Sequence, residues 1–195
     1  MHSRVRVIFG LCAAMVVSLF LSGCATLNKN ECQTVDWEQL GLQNGQAGEP
    51  QSYIAEHQKA CSQYKLPVDT AKWDAGWQKG IRNYCTPANG LAAGQRGRTD
   101  GSMCPSDQMQ QFSYYAQIGG RVYSAQSDVD GARSELEQIS NDIKTEQDRG
   151  RRAELWRRRD EVRMRLQDAQ DALYVAKRQA DDAYADLMRK GPPKP

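Results

Sequence analysis

Thiols offer more chemistry than any other side chain in this 195-residue sequence. There are six, Cys12, Cys24, Cys32, Cys61, Cys85 and Cys104. Two stand apart. Cys12 sits inside an apolar run, Val7 to Phe20, that follows Arg4 and Arg6, and Cys24 closes Leu21-Ser22-Gly23-Cys24 just behind that run. A positive start, a short apolar run and small residues before a break point make a secretory signal. The run holds 14 residues, short of the roughly 20 that a spanning helix needs. Ordinary cleavage has no use for a cysteine at the break point, but a thiol there can carry lipid. Residues 1–23 are therefore expected to be removed, leaving Cys24 as a lipidated first residue. The covalent lipid on Cys24 is the only non-protein group expected, with no other cofactor.

Removal of residues 1–23 leaves Cys32, Cys61, Cys85 and Cys104. An even number in an oxidising compartment implies two disulfides. Three pairings are possible; the expected one joins nearest neighbours in sequence, Cys32–Cys61 and Cys85–Cys104. Zinc is disfavoured because no close cysteine pair exists and His57 is the only histidine left. No metal site and no catalytic residues are expected. A Ser-His-Asp triad would have to use His57, and no nucleophile motif accompanies it. His57 lies beside the apolar side of a helix expected over residues 52–64, where a surface or satisfied histidine is the simpler expectation.

The elements that must position these residues fall into two parts. Residues 24–30 look like a lipidated polar tether, with Asn28-Lys29-Asn30 at its start. Residues 31–121 form a head. Trp37 is followed by Gly41 and Gly45, Trp73 by Gly76, Gly80 and Tyr84, and Tyr115 by Gly119 and Tyr123. Steps of three and four put these residues on one helix face. Glycine inside a helix costs about 1 kcal/mol against alanine, so close backbone approach is needed to offset it. Three short helices packed through glycine faces are expected, with the aromatic rings as core. Between Tyr84 and Cys104 the residues become turn-rich, and Asn89-Gly90 is a strong turn signal. A short hairpin or irregular loop is expected there, held by Cys85–Cys104. Thr86, Pro87, Asn89 and Gly90 are its candidate binding residues.

Asp36-Trp37, Leu40-Gly41, Asn44-Gly45, Gly48, Cys61, Gly76, Gly80, Tyr84-Cys85-Thr86-Pro87, Asn89-Gly90, Gly94, Gly97 and Cys104-Pro105 together resemble the pattern of an uncharacterised bacterial lipoprotein family, domain of unknown function number 2799. The resemblance runs from about Cys32 to Tyr123. Asn44 stands where that pattern has aspartate, and Thr99 near where it has a tyrosine. The resemblance implies a lipoprotein with a cysteine-paired head, and no activity. Leu21-Ser22-Gly23-Cys24 likewise resembles the bacterial lipobox. Ala25, where aspartate would retain the protein at the inner membrane, implies an outer-membrane anchor facing the periplasm.

Residues 122–190 differ in character. Val122, Val129, Ala132, Leu136, Ile139 and Ile143 recur at threes and fours; Leu155, Val162, Leu166, Ala169, Leu173, Ala176, Ala180, Ala183 and Leu187 continue the seam, with Arg159 as its one polar position. Two long helices turning near Gly150 are expected, an antiparallel coiled-coil hairpin. Charge agrees. Residues 122–148 carry seven acids and two bases, and residues 149–165 eight bases and three acids. A turn near Gly150 would bring Asp142 near Arg157, and Glu135 near Arg163 or Arg165. A rival role for the Arg149–Arg165 block is a patch for an anionic polymer. The second helix should overhang beyond about residue 177, leaving Ala180 to Met188 to dock on the head or on another protomer. Residues 191–195 are expected to be a disordered polar tail.

The fold class expected is mainly α: a small disulfide-stapled helical head, then a long helical hairpin. The segment from residue 24 onward has 24 bases and 24 acids, so its balance gives no support to a nucleic-acid partner. The expected partners are the membrane, through the lipid, and an envelope protein or a second copy through the coiled coil. A non-enzymatic interaction protein of the cell envelope is the leading expectation. The alternative is a small-molecule or glycan binder using the aromatic head and the Cys85–Cys104 loop.

Overall fold

A computed structural model describes residues 26–190. The expected signal peptide, the lipid site Cys24 and the tail at 191–195 lie outside the described residues. Within them the regular structure is helical, with no strand. Helix α1 spans Lys29–Thr34, α2 Trp37–Ala47, α3 Ile54–Ser62, α4 Thr70–Tyr84, α5 Pro87–Gly94, α6 Ser106–Thr145 and α7 Arg149–Lys190. A single 3-10 turn, Gln51–Tyr53, leads into α3.

Local chemistry sets most of the starts. Asn28 and Glu31 form a reciprocal capping box at α1. Asp36 caps α2 by accepting from Glu38 N and Gln39 N, and Asp69 caps α4 by accepting from Lys72 N. Each such cap contributes about 1 kcal/mol. Thr86 caps α5, and Pro87 opens it, where its missing N–H costs nothing.

Glycine decides how the head packs. Gly41 and Gly45 of α2 face Gly76 and Gly80 of α4. A Cβ on Gly41 would overlap the Trp73 carbonyl, and one on Gly76 the Glu38 carbonyl. Helices α5 and α6 repeat the device. There Gly90 meets the Phe112 carbonyl, Gly94 the Ala116 carbonyl and Gly119 the Leu91 carbonyl. Both pairs also end alike. Gly48 and Gly97 adopt left-handed φ values of 75° and 79° and lie under the rings of Tyr84 and Tyr123. Gly41, Gly45 and Gly48 thus recur in Gly90, Gly94 and Gly97 at identical spacing. The head is two copies of one glycine-locked helix pair. Trp73, Ile81, Phe112 and Ala116 fill its core.

The expected disulfides are both present. Cys32–Cys61 joins α1 to α3, and Cys85–Cys104 joins the approach to α5 to the approach to α6, each with a Cα–Cα distance of 5.7 Å.

Several expectations need correction or sharpening. Residues 85–104 hold helix α5 rather than a hairpin or an irregular loop, because Gly90 and Gly94 are used for contact with α6 and not for turning. The expected boundary between head and hairpin at residue 121 falls inside α6, which runs unbroken through that point as a 40-residue helix. From Thr26 onward the chain is not a tether: Leu27 is 7% exposed and belongs to the main core. The hairpin turns at residues 146–148, close to Gly150 as expected, with Gly150 itself in the first turn of α7.

The hairpin seam is close to the one expected. Ala125, Val129, Ala132 and Ile139 of α6 are buried, as are Val162, Ala176 and Ala180 of α7. Leu136, Ile143, Leu155 and Leu166 pack around Ala132, Ile139 and Val162. Glu135 bonds Arg165 at 2.7 Å and Arg158 at 2.9 Å, and Arg121 donates to Gln179 at 3.3 Å. No ion pair joins Asp142 to Arg157 among the described residues. Because α6 begins at Ser106, the end of α7 does not overhang. Ala183 shares a cleft with Tyr114, Gln117 and Ile118, while Tyr184 and Met188 stay exposed.

Candidate functional site

The most developed polar arrangement in the head centres on His57 of α3, which is 3% exposed. The Trp37, Tyr53 and Trp73 rings surround it, with Tyr53 edge-on at 5.2 Å between centroids. Its Nδ1 lies 2.9 Å from Thr26 Oγ1 and its Nε2 lies 2.9 Å from Asn44 Oδ1. Trp73 Nε1 also donates to Asn44 Oδ1, at 2.9 Å.

The partners fix the tautomer. An indole N–H can only donate, so the Asn44 atom facing it must be the carbonyl oxygen. That oxygen also faces His57 Nε2, so Nε2 carries the proton and donates. Nδ1 then accepts from the Thr26 hydroxyl. Burial lowers the His57 pKa, with Glu56 pulling weakly the other way, so the ring is neutral at pH 7. Both nitrogens are occupied, which leaves no lone pair to activate a nucleophile. The arrangement works as a fastener: it ties Thr26, two residues after Cys24, to three helices of the head.

The candidate binding residues between Cys85 and Cys104 are structurally engaged. Thr86 Oγ1 accepts from Asn89 N at 3.2 Å, and Asn89 Nδ2 donates to the Tyr84 carbonyl at 3.0 Å. Pro87 and Gly90 are buried, Gly90 against Phe112. These four residues come together as the start of α5 rather than as an open ligand loop. Its Thr-Pro start was readable as a helix N-terminus, and Asn-Gly, two residues later, obscured it.

The hairpin holds the remaining chemistry. Glu135 collects hydrogen bonds from Arg158 first and Arg165 second, which hold its carboxyl below the usual range. Arg151 pairs with Glu146 at 3.2 Å, and Arg152 caps the Glu146 carbonyl at 2.9 Å. Arg159 pairs with Asp160 at 2.8 Å and stacks over Trp156 at 4.0 Å from the ring centre. Among the described residues no cluster of three His, Cys, Asp or Glu side chains is placed to hold a metal, and no helix is long and apolar enough to cross a membrane.

The protein is therefore a disulfide-stapled, glycine-packed helical head continuous with a long helical hairpin. Residues 36–121, from the α2 cap into the middle of α6, match the family model described as Protein of unknown function (DUF2799). No curated protein and no solved structure matches the chain.

Proposed function

We propose that this chain is a lipid-anchored, non-enzymatic protein of the bacterial envelope, held at the outer membrane and facing the periplasm. Its head stands at the bilayer and its hairpin reaches a partner away from it. One observation carries this reading: α6 is a single helix from Ser106 in the head to Thr145 at the hairpin tip. A contact at the tip is thus mechanically joined to the anchored head. About 24 residues of α6 lie beyond the head, or roughly 36 Å at 1.5 Å per residue. The fastening of Thr26 supports the same reading, because a lipid on Cys24 would leave only Ala25 between anchor and head. Two or more acyl chains would make that attachment stable, where one is marginal.

Two experiments test the reading. Fractionation with mass analysis of the N-terminus should find the chain beginning at an acylated Cys24, and Cys24→Ala should release it from the membrane. A membrane-bound, processed Cys24→Ala chain would overturn the anchor. Deleting residues 129–142 together with residues 158–171 preserves the heptad register and shortens the hairpin by about 21 Å. That variant should stay folded and anchored yet lose in-cell photo-cross-links from the tip. Unchanged cross-links would move the contact to the head.

A further inference from the structure

Seven of the eight arginines near the hairpin tip fall into two sets, with Arg157 outside both. Arg151, Arg158 and Arg165, spaced by seven, turn toward α6 and are neutralised there by Glu146 and Glu135. Arg149, Arg152, Arg159 and Arg163 recur at three, seven and four with Trp156 between them, which places them on one other face of α7, although Arg152 is spent there on the Glu146 carbonyl that ends α6. The acids of this stretch are mostly elsewhere. Glu154, Glu161 and Asp168 form a line on the opposite side of the helix; Asp160, at the edge of the basic face, is taken by Arg159. Arg149 and Arg163 pair with no carboxylate among the described residues. Trp156 is 43% exposed, with Arg159 over one face of its ring at 4.0 Å.

A large aromatic ring held in solvent among guanidinium groups contributes little to the hairpin seam. Forked donors suit carboxylate and phosphate, and a flat indole suits the C–H face of a sugar ring. The face is convex and about 21 Å long at 1.5 Å per residue, which suits an extended polymer better than a small molecule. It lacks the apolar width that a helix needs to enter a bilayer. We propose that the Arg149, Trp156, Arg159 and Arg163 face of α7 binds a polyanionic glycan, with guanidinium groups on its carboxylates or phosphates and Trp156 on a sugar ring. The inference rests on the envelope reading only in preferring glycan to nucleic acid.

The test uses the full processed chain in detergent with four probes: carboxylate-bearing cell-wall sacculi, phosphate-bearing lipopolysaccharide, a neutral glucan and duplex DNA. At least one anionic glycan should bind, several-fold tighter than DNA, and the glucan should not. The glycan that binds identifies the source of the anion. Binding should weaken by an order of magnitude or more between about 50 and 200 mM salt. Arg149→Gln with Arg163→Gln should lower affinity about tenfold and flatten that salt dependence, while Arg149→Lys with Arg163→Lys keeps the slope. Trp156→Ala should lower affinity several-fold with the slope unchanged. All these side chains lie outside the seam, so helix content by circular dichroism should be unaltered. Failure of both glycans to bind at low salt overturns the proposal. So does DNA binding as tight as glycan binding, or indifference of glycan binding to Trp156→Ala. Anchoring, read separately from Cys24→Ala, can succeed or fail independently of these results.

Discussion

At the residue scale, His57 is a titratable side chain taken almost wholly out of water, 3% exposed. Its folded pKa is lowered by burial, so the unfolded chain binds a proton more readily than the folded one. Stability from this residue is complete above the ordinary imidazole value of 6.5 and is lost as pH falls below it toward the folded value. The urea midpoint should therefore drop through that window, and His57→Gln should flatten the drop. Asn44→Asp would place a carboxylate against Nε2, favouring the protonated ring. The imidazole pKa of that variant, followed by NMR, should rise above the wild-type value; an unchanged value would mean that Nε2 does not face residue 44. Thr26→Val leaves Nδ1 without its donor and should cost about 1–2 kcal/mol, the penalty of an unsatisfied buried acceptor.

At the element scale, the same amino acid has opposite consequences at different sites. Gly45 faces the backbone of α4, where an added Cβ would meet the Gly80 carbonyl carbon at 2.9 Å and overlap still closer atoms. Backbone cannot step aside as a flexible side chain can, so Gly45→Ala should destabilise by about 3 kcal/mol. Gly131 sits inside α6 with nothing within 4 Å of an added Cβ, so Gly131→Ala should stabilise by about 0.5–1 kcal/mol. Thermal melts of the two variants should shift in opposite directions. Gly94→Ala, the counterpart of Gly45 in the second helix pair, should behave like Gly45→Ala if the two pairs are one repeated device.

At the scale of the whole molecule, two helix pairs and two disulfides make one head, and α6 belongs to both head and hairpin. The Cys85–Cys104 bridge spans 19 residues, for which chain entropy gives about 3 kcal/mol. Replacing both cysteines by alanine should lower the stability of the second helix pair by about that amount. Because α6 is continuous, the loss should extend into the hairpin. Hydrogen exchange should then rise in Phe112 to Tyr123 and in the part of α7 facing them. Loss confined to α5 would show that the hairpin folds independently of the head.

The sequence by itself determined much of the hairpin and the chemistry of its ends. A seam of Val129, Ala132, Ile139 and Val162 has the helical period, and that period is local information. Opposite charge blocks at Glu135 and Arg165 implied the antiparallel register. The glycine faces of α2 and α4 followed from steps of three and four, whereas the sequence left three cysteine pairings open and the structure holds the nearest-neighbour one. Tertiary structure decided the rest. Asn89-Gly90 has a turn preference when read locally, yet burial of Gly90 against Phe112 makes it helix. Thr26 and Leu27 look like polar linker in sequence, but their positions depend on His57 and a core built from residues far along the chain. Arginines seven apart and arginines on the Trp156 face look alike in a list of charges. Only the tertiary structure separates Arg151, Arg158 and Arg165, neutralised by Glu146 and Glu135, from Arg149 and Arg163, which pair with no carboxylate among the described residues. Period is written in neighbouring residues, whereas burial and charge partners depend on contacts between distant ones.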